Sequence, residues 1–168
     1  KGLNKVIKYI EAYAFAYSYV QEVTIGENVL SIGKACFENC VRLREINIGK
    51  NVVYIGVEIT TDVEGTLSFL EVVTKEANET LERYYGVYEQ EVFNNCYVLS
   101  NIVVDEENRY YYSDNNGILY DKHQTKLLLY AQGISRITFT IPQSVEYIAL
   151  EAFQNNMHLQ RLIVPSGV

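Results

Sequence analysis

The sequence predicts a mainly β, right-handed solenoid with an irregular central insertion, and three observations carry that reading. The first is an apolar phrase that recurs about every 23 residues. One copy runs Ile32-Gly33-Lys34-Ala35-Cys36-Phe37 and continues through Cys40, Leu43, Ile46 and Ile48. Another runs from Ile148 to Phe153 and on through Leu159, Leu162 and Val164, at the same distances from its Phe. A weaker copy holds Phe93, Cys96, Leu99, Ile102 and Val104; the first copy, Ile10 to Phe15 with Val20, Val23 and Ile25, is one residue shorter in its second half. A period of this length marks units that bury their apolar faces only by stacking on their neighbours. The second observation is the alternation of apolar and polar residues in Leu43-Arg44-Glu45-Ile46-Asn47-Ile48, the signature of a short half-buried strand. The third is the Gly49 or Pro165 that closes each such strand with a turn.

Each unit is therefore expected to read strand, turn, second short strand (Val29 to Ile32, Val145 to Ile148), and then a tight bend carrying the Phe inward. Stacked units, about five to seven of them, would align the Leu-x-x-Ile-x-Ile strands into one sheet with polar flanks outward. The chain forms a single domain over 1–168, with two irregularities. Residues 58–91 form a divergent acidic insertion or degenerate repeats: Ile59-Thr60 stands where Ala-Phe is expected, and Leu67, Leu70 and Val72 recover the strand spacing. Glu79 and Arg83 are spaced i,i+4, so Thr74 to Tyr84 reads as a short exposed helix or an ordered loop. Residues 105–130 form a hairpin-containing variant unit, because Asn116-Gly117 lies between extended segments and both residues tolerate positive φ.

Composition removes several function classes. The net charge of −7 lies in residues 58–91, where nine acids face two bases. No Lys/Arg cluster exists to displace counterions from phosphates, so a nucleic-acid partner is not expected. No apolar run reaches the roughly 18 residues of a membrane span, so this segment is not expected to insert in a membrane. Three cysteines do not make a disulfide framework. Cys36 takes the place of Ala14 and Ala152, while Cys40 and Cys96 take that of Ser18 and Asn156; these small slots read as buried packing sites.

At these residues the chain resembles the BspA-like leucine-rich repeats, also called the Treponema pallidum type. Their unit is an Ile-Gly-x-x-Ala-Phe box, a small residue or Cys three places on, Leu-x-x-Ile-x-Ile-Pro, and a Ser-Val-x-x-Ile lead into the next unit. Ile32-Gly33 with Phe37, and Ile148 with Ala152-Phe153, match the box; Ile141-Pro142-Gln143-Ser144-Val145 through Ile148 matches the lead. Tyr111, Ser113, Gly117, Leu119 and Tyr120 match a variant unit of the same proteins. The resemblance covers about residues 6–57 and 88–168. It implies a leucine-rich-repeat solenoid, an extracellular or cell-surface location, a role in adhesion, and no enzymatic activity.

The residues offer no competing chemistry. His123 and His158 read as surface residues, with no Ser or Cys partner identifiable as a nucleophile. Asp114-x-Asn116-Gly117 fits three positions of a calcium loop, but Tyr112 and His123 stand where it needs carboxylates, so the turn reading prevails and no metal or other cofactor is expected. Asn78-Glu79-Thr80 fits a glycosylation acceptor and says little by itself. Tyr9, Tyr54 and Tyr147 occupy one equivalent position, which suggests a ladder of rings along one edge.

The expected function is thus a non-catalytic module that binds a protein or glycan. Its expected contact surface is the strand face, bearing Glu22, Thr24, Glu45, Asn47, Asn101, Thr138, Thr140 and Arg161. A passive spacer within a larger surface protein is the alternative, and an accessory region of an enzyme a weaker one. Val164 to Val168 reads as the lead into a further unit, which suggests a fragment of a longer repeat or an end that self-associates with another copy.

Overall fold

The computed structural model describes residues 6–57, 59–61, 67–69, 87–114 and 116–168. The chain winds through about five turns. Each sends one ring inward: Phe15, Phe37, Phe93, Tyr130 and Phe153. Short strands suit this winding because a residue run of two to four, too weak to persist alone, is held by the turns on either side. The only helical piece among the described residues is a 3-10 turn at Gln90–Phe93.

Two lines of parallel pairing run along the first three turns. On one side β1 (Tyr9–Ile10), β3 (Ser31–Ile32), β5 (Tyr54–Ile55) and β8 (Val87–Tyr88) form a sheet. On the other, β2 (Glu22–Thr24), β4 (Glu45–Ile48) and β9 (Asn101–Val104) pair with Val23, Ile46 and Ile102 in one row. Between the sheets lies the core, where Ile32, Phe37, Leu43, Ile46, Ile55 and Ile102 are completely buried. At roughly 1.5–3 kcal/mol for each large apolar side chain withdrawn from water, these few residues outweigh the weak preference of such short strands.

The rings form two stacks, the first as the repeat spacing predicts and the second with an unforeseen member. Phe15, Phe37 and Phe93 stack at centroid separations of 5.6 and 5.9 Å, their planes within 6° and 8° of parallel. Phe153 packs instead on Tyr130, 5.1 Å away. Tyr130 holds the Phe position of the variant turn, because its amide donates to the Ala152 carbonyl just as Phe15 donates to Cys36 and Phe37 to Val92. Phe15, stacked on Phe37, remains 45% exposed.

The bend after each Phe has its own repeated geometry. Two residues on, the backbone is left-handed at Tyr17 (φ 61°), Asn39 (56°), Asn95 (59°) and Asn155 (59°). Asn suits that conformation and Tyr does not, since a bulky side chain crowds the following carbonyl. Tyr17→Asn is therefore expected to stabilise the protein by about 1 kcal/mol, seen as a higher urea midpoint. A midpoint unchanged or lowered would show that the bend is not strained there. Gly33 has a different necessity: a Cβ at that position would lie 2.5 Å from the Ala12 nitrogen, so only Gly lets the two backbones meet.

The small position three residues after each Phe does more than pack. The Cys40 thiol donates to the Phe15 carbonyl and the Cys96 thiol to that of Phe37, each at 3.1 Å. Asn156, in the same position, donates to the carbonyls of Ala131, Gln132 and Ile134 and accepts from the amides of His158 and Leu159. These side chains satisfy bend carbonyls that the stacking removes from water.

Three expectations require correction. Leu67 does not belong to a solenoid strand. It opens β7 (Leu67–Phe69), which pairs antiparallel with β6 (Ile59–Thr61), while β4 pairs directly with β9. The pairing explains why: β4 meets β9 and β5 meets β8 directly, so β7 adds no row to the strand face. Leu70, Val72, the Thr74 to Tyr84 helix or loop and Asn78 lie outside the described residues.

The long strands also do not form one sheet: β13 (Thr138–Thr140) and β15 (Arg161–Ile163) pair separately from β2, β4 and β9. The variant turn interrupts them, since the Val104 amide at the end of β9 donates to Ser113 Oγ of the inserted hairpin. That hairpin is β10 (Tyr111–Ser113), β11 (Leu119–Asp121) and β12 (Lys126–Leu129), antiparallel in succession; β12 then pairs in parallel with β14 (Tyr147–Ile148). At its tip, Asp114 Oδ1 accepts from the Asn116 and Ile118 amides and Gly117 has φ 74°, in keeping with a turn. Completely buried Asn108 fastens the hairpin to the rest, donating to the Gly49 and Val52 carbonyls and accepting from the Tyr110 and Tyr111 amides.

Third, the tyrosine ladder is broken. Ser31 stands between Tyr9 and Tyr54 in register, Val87 follows Tyr54, and Tyr147 pairs with Lys126 in a separate sheet. Turns without a Tyr at that position separate those with one.

Candidate functional site

Parallel register turns residues distant in sequence into rows about 4.8 Å apart. Glu22, Glu45 and Asn101 stand side by side on β2, β4 and β9, and Thr24, Asn47 and Val103 form the next row on the same face. Five of the residues proposed from sequence (Glu22, Thr24, Glu45, Asn47 and Asn101) thus share one sheet. The other three do not join them: Thr138 pairs with Arg161, and Thr140 with Ile163, on the separate β13–β15 pair. Alternation explains the orientation, for Val23, Ile46 and Ile102 point into the core and their neighbours must face out.

Glu45 is the organised centre of the face. Its Oε1 accepts from Asn47 Nδ2 at 2.9 Å and its Oε2 from Asn101 Nδ2 at 2.8 Å. These two amides, Asn47 first, hold its carboxyl below the usual range, so it stays charged in mildly acidic solution. The result is a fixed anionic group flanked by amides and, one strand away, by exposed Glu22. Such a surface can accept hydrogen bonds from hydroxyl, amide or cationic groups. Along its margins Lys50 bridges Glu27 and Glu107 at 3.4 Å each, Arg44 donates to Gln21, and the Arg42 guanidinium lies 4.8 Å from the centre of the Tyr19 ring.

Sequence reasoning missed a second row. Asn95 Nδ2 donates to Asn39 Oδ1 at 3.0 Å, and Asn155 Nδ2 donates to Asn95 Oδ1 at 3.3 Å, which makes an amide ladder along the bends. The Phe-x-Asn spelling of Phe37 to Asn39, Phe93 to Asn95 and Phe153 to Asn155 was the available signal.

The thiols are placed for structure. Burial pushes both the Cys36 and the Cys96 thiol up to about 12, which leaves neither as a thiolate at neutral pH. Maleimide at pH 7 is accordingly expected to label them only at the rate of unfolding; fast labelling of the native protein would place them at the surface. Because a folded-state value is raised, the associated stability is complete below pH 9, the ordinary value, and falls as pH climbs from there toward 12. His123 and His158 are both exposed. Among the described residues no group of three His, Cys, Asp or Glu is arranged to hold a metal ion, and no helix is long and apolar enough to cross a membrane.

Comparison with known proteins agrees with this architecture. The BspA type leucine rich repeat region matches in six copies, over residues 8–115 and 129–168. None of the curated proteins matches the sequence. Among solved structures, a leucine-rich repeat protein from Eubacterium ventriosum is similar with a TM-score of 0.68 and 22% identity, over 96% of this chain and 34% of that one. The pneumococcal vaccine antigen PcpA is similar with a TM-score of 0.64 and 17% identity, over 96% of this chain and 38% of that one. The chain thus spans between a third and two-fifths of the length of these two neighbours, and the likeness concerns the fold.

Proposed function

The chain belongs to the BspA type leucine-rich repeat family, and from that premise we propose that it is a non-catalytic module that binds a protein or glycan outside the cell. The observation that carries the reading is the row Glu22, Glu45, Asn101, in which three successive turns present polar side chains at one register position. A repeat surface of this kind recognises an extended ligand by multiplying one modest contact, and stacked turns keep the contacts rigid so that little order is lost on binding. The vaccine antigen among its structural neighbours supports the extracellular setting.

The test is a pull-down against immobilised host matrix proteins and glycans, comparing the native chain with a Glu45→Ala, Asn47→Ala double variant. Both side chains lie on the outer face, so the fold is retained, and removing the central acceptor and one of its supports should weaken capture about tenfold or more. Equal capture by the two proteins removes this face from consideration.

A further inference from the structure

A cavity of about 460 Å³ opens at the junction of the two sheets that hold the second strands, beside the outer edge of β8. The sheet β1-β3-β5-β8 ends there, and β10, β11, β12 and β14 form a separate one. Completely or nearly completely buried Tyr111 and Asp121 lie at the inner end of the cavity; exposed Lys126, Glu146 and Tyr147 lie at its mouth. Tyr110 and Tyr88 complete the aromatic lining. Among the described residues the buried Tyr88 hydroxyl has no hydrogen-bond partner, an arrangement that costs stability.

The charges restrict the occupant. Asp121 is fixed, its Oδ2 accepting from Thr125 Oγ1 at 2.8 Å and its Oδ1 from the Lys126 amide at 2.7 Å, and each oxygen retains a further lone pair. An anion would meet Asp121 and Glu146, and a cation would meet Lys126. A neutral ligand that both donates and accepts, and that carries C–H faces to lie on tyrosine rings, suits all of them. That combination is a sugar ring. We propose that this cavity binds a neutral hexose unit, free or at the end of a glycan, with Tyr147 as the stacking platform and Asp121, Glu146 and Lys126 as hydrogen-bonding partners. The site is distinct from the strand face and does not depend on it.

Amide NMR spectra of the whole chain titrated with glucose, galactose and N-acetylglucosamine test the proposal, with choline chloride and inorganic phosphate as charged probes. At least one sugar should give saturable shifts confined to residues 88, 110–111, 121–128 and 146–147. Tyr147→Ala, at a residue 65% exposed and so dispensable for folding, should weaken that binding about tenfold. The Glu45→Ala, Asn47→Ala variant should bind the sugar as the native chain does. No saturable shift with any sugar, shifts undiminished in Tyr147→Ala, or a response to choline or phosphate in place of sugar would each overturn it.

Discussion

Phe37→Ala is expected to lower the unfolding free energy by about 3–5 kcal/mol, the range for emptying a buried aromatic site. Its ring is completely buried and stacked on both faces, by Phe15 at 5.6 Å and Phe93 at 5.9 Å. The void therefore opens between turns and not within one, and no side chain of the central turn can close it without pulling a neighbouring ring out of line. Two turns should loosen with the third, so that hydrogen exchange accelerates at the Phe15 amide, which bonds to Cys36, as well as at Phe37 itself. A loss under about 1 kcal/mol in urea titration would place Phe37 outside the core. The same substitution at Phe15, which is 45% exposed, should cost much less.

Asn108→Ala is expected to cost about 2–4 kcal/mol, since one truncation deprives two buried carbonyls and two amides of partners. Those groups, on Gly49, Val52, Tyr110 and Tyr111, join the inserted hairpin to the turn before it. The effect should therefore be local as well as large: proteolysis should cut first near residues 105–120 while the Phe15–Phe37–Phe93 stack persists. Uniform unfolding, or a cost within about 0.5 kcal/mol, would mean that the hairpin is anchored elsewhere.

How far the sequence discloses this protein depends on whether a signal lies in spacing or in partners. Distances of six, nine and eleven residues from Phe37 place Leu43, Ile46 and Ile48 in the core because strand alternation and stacking both enforce them. Tyr130 carries no Ala-Phe box to mark it, yet Phe139 and Ile141 follow it at nine and eleven residues, the same distances. The small position of Cys40 and Cys96 was visible, but its hydrogen bond to a carbonyl some 25 residues earlier in the case of Cys40 is a property of the stack and not of the string. Leu67 imitates the repeat spacing, and only the antiparallel pairing of β7 with β6, with β4 directly on β9, reveals that it is not part of the strand face.

The candidate surface shows the same division. That Glu22, Glu45 and Asn101 occupy outward positions follows from alternation, and their row follows from the repeat. That Asn47 and Asn101 both grip Glu45 depends on side-chain reach across strands. The tyrosine ladder is absent for the converse reason: Ser31 occupies the rung between Tyr9 and Tyr54, and Val87 the rung after Tyr54.

Ring-to-ring nuclear Overhauser effects in the native chain test the shared spine most directly. Cross-peaks should link Phe37 to both Phe15 and Phe93, and Tyr130 to Phe153. Ring protons of Phe37 that see only residues of its own turn would contradict it.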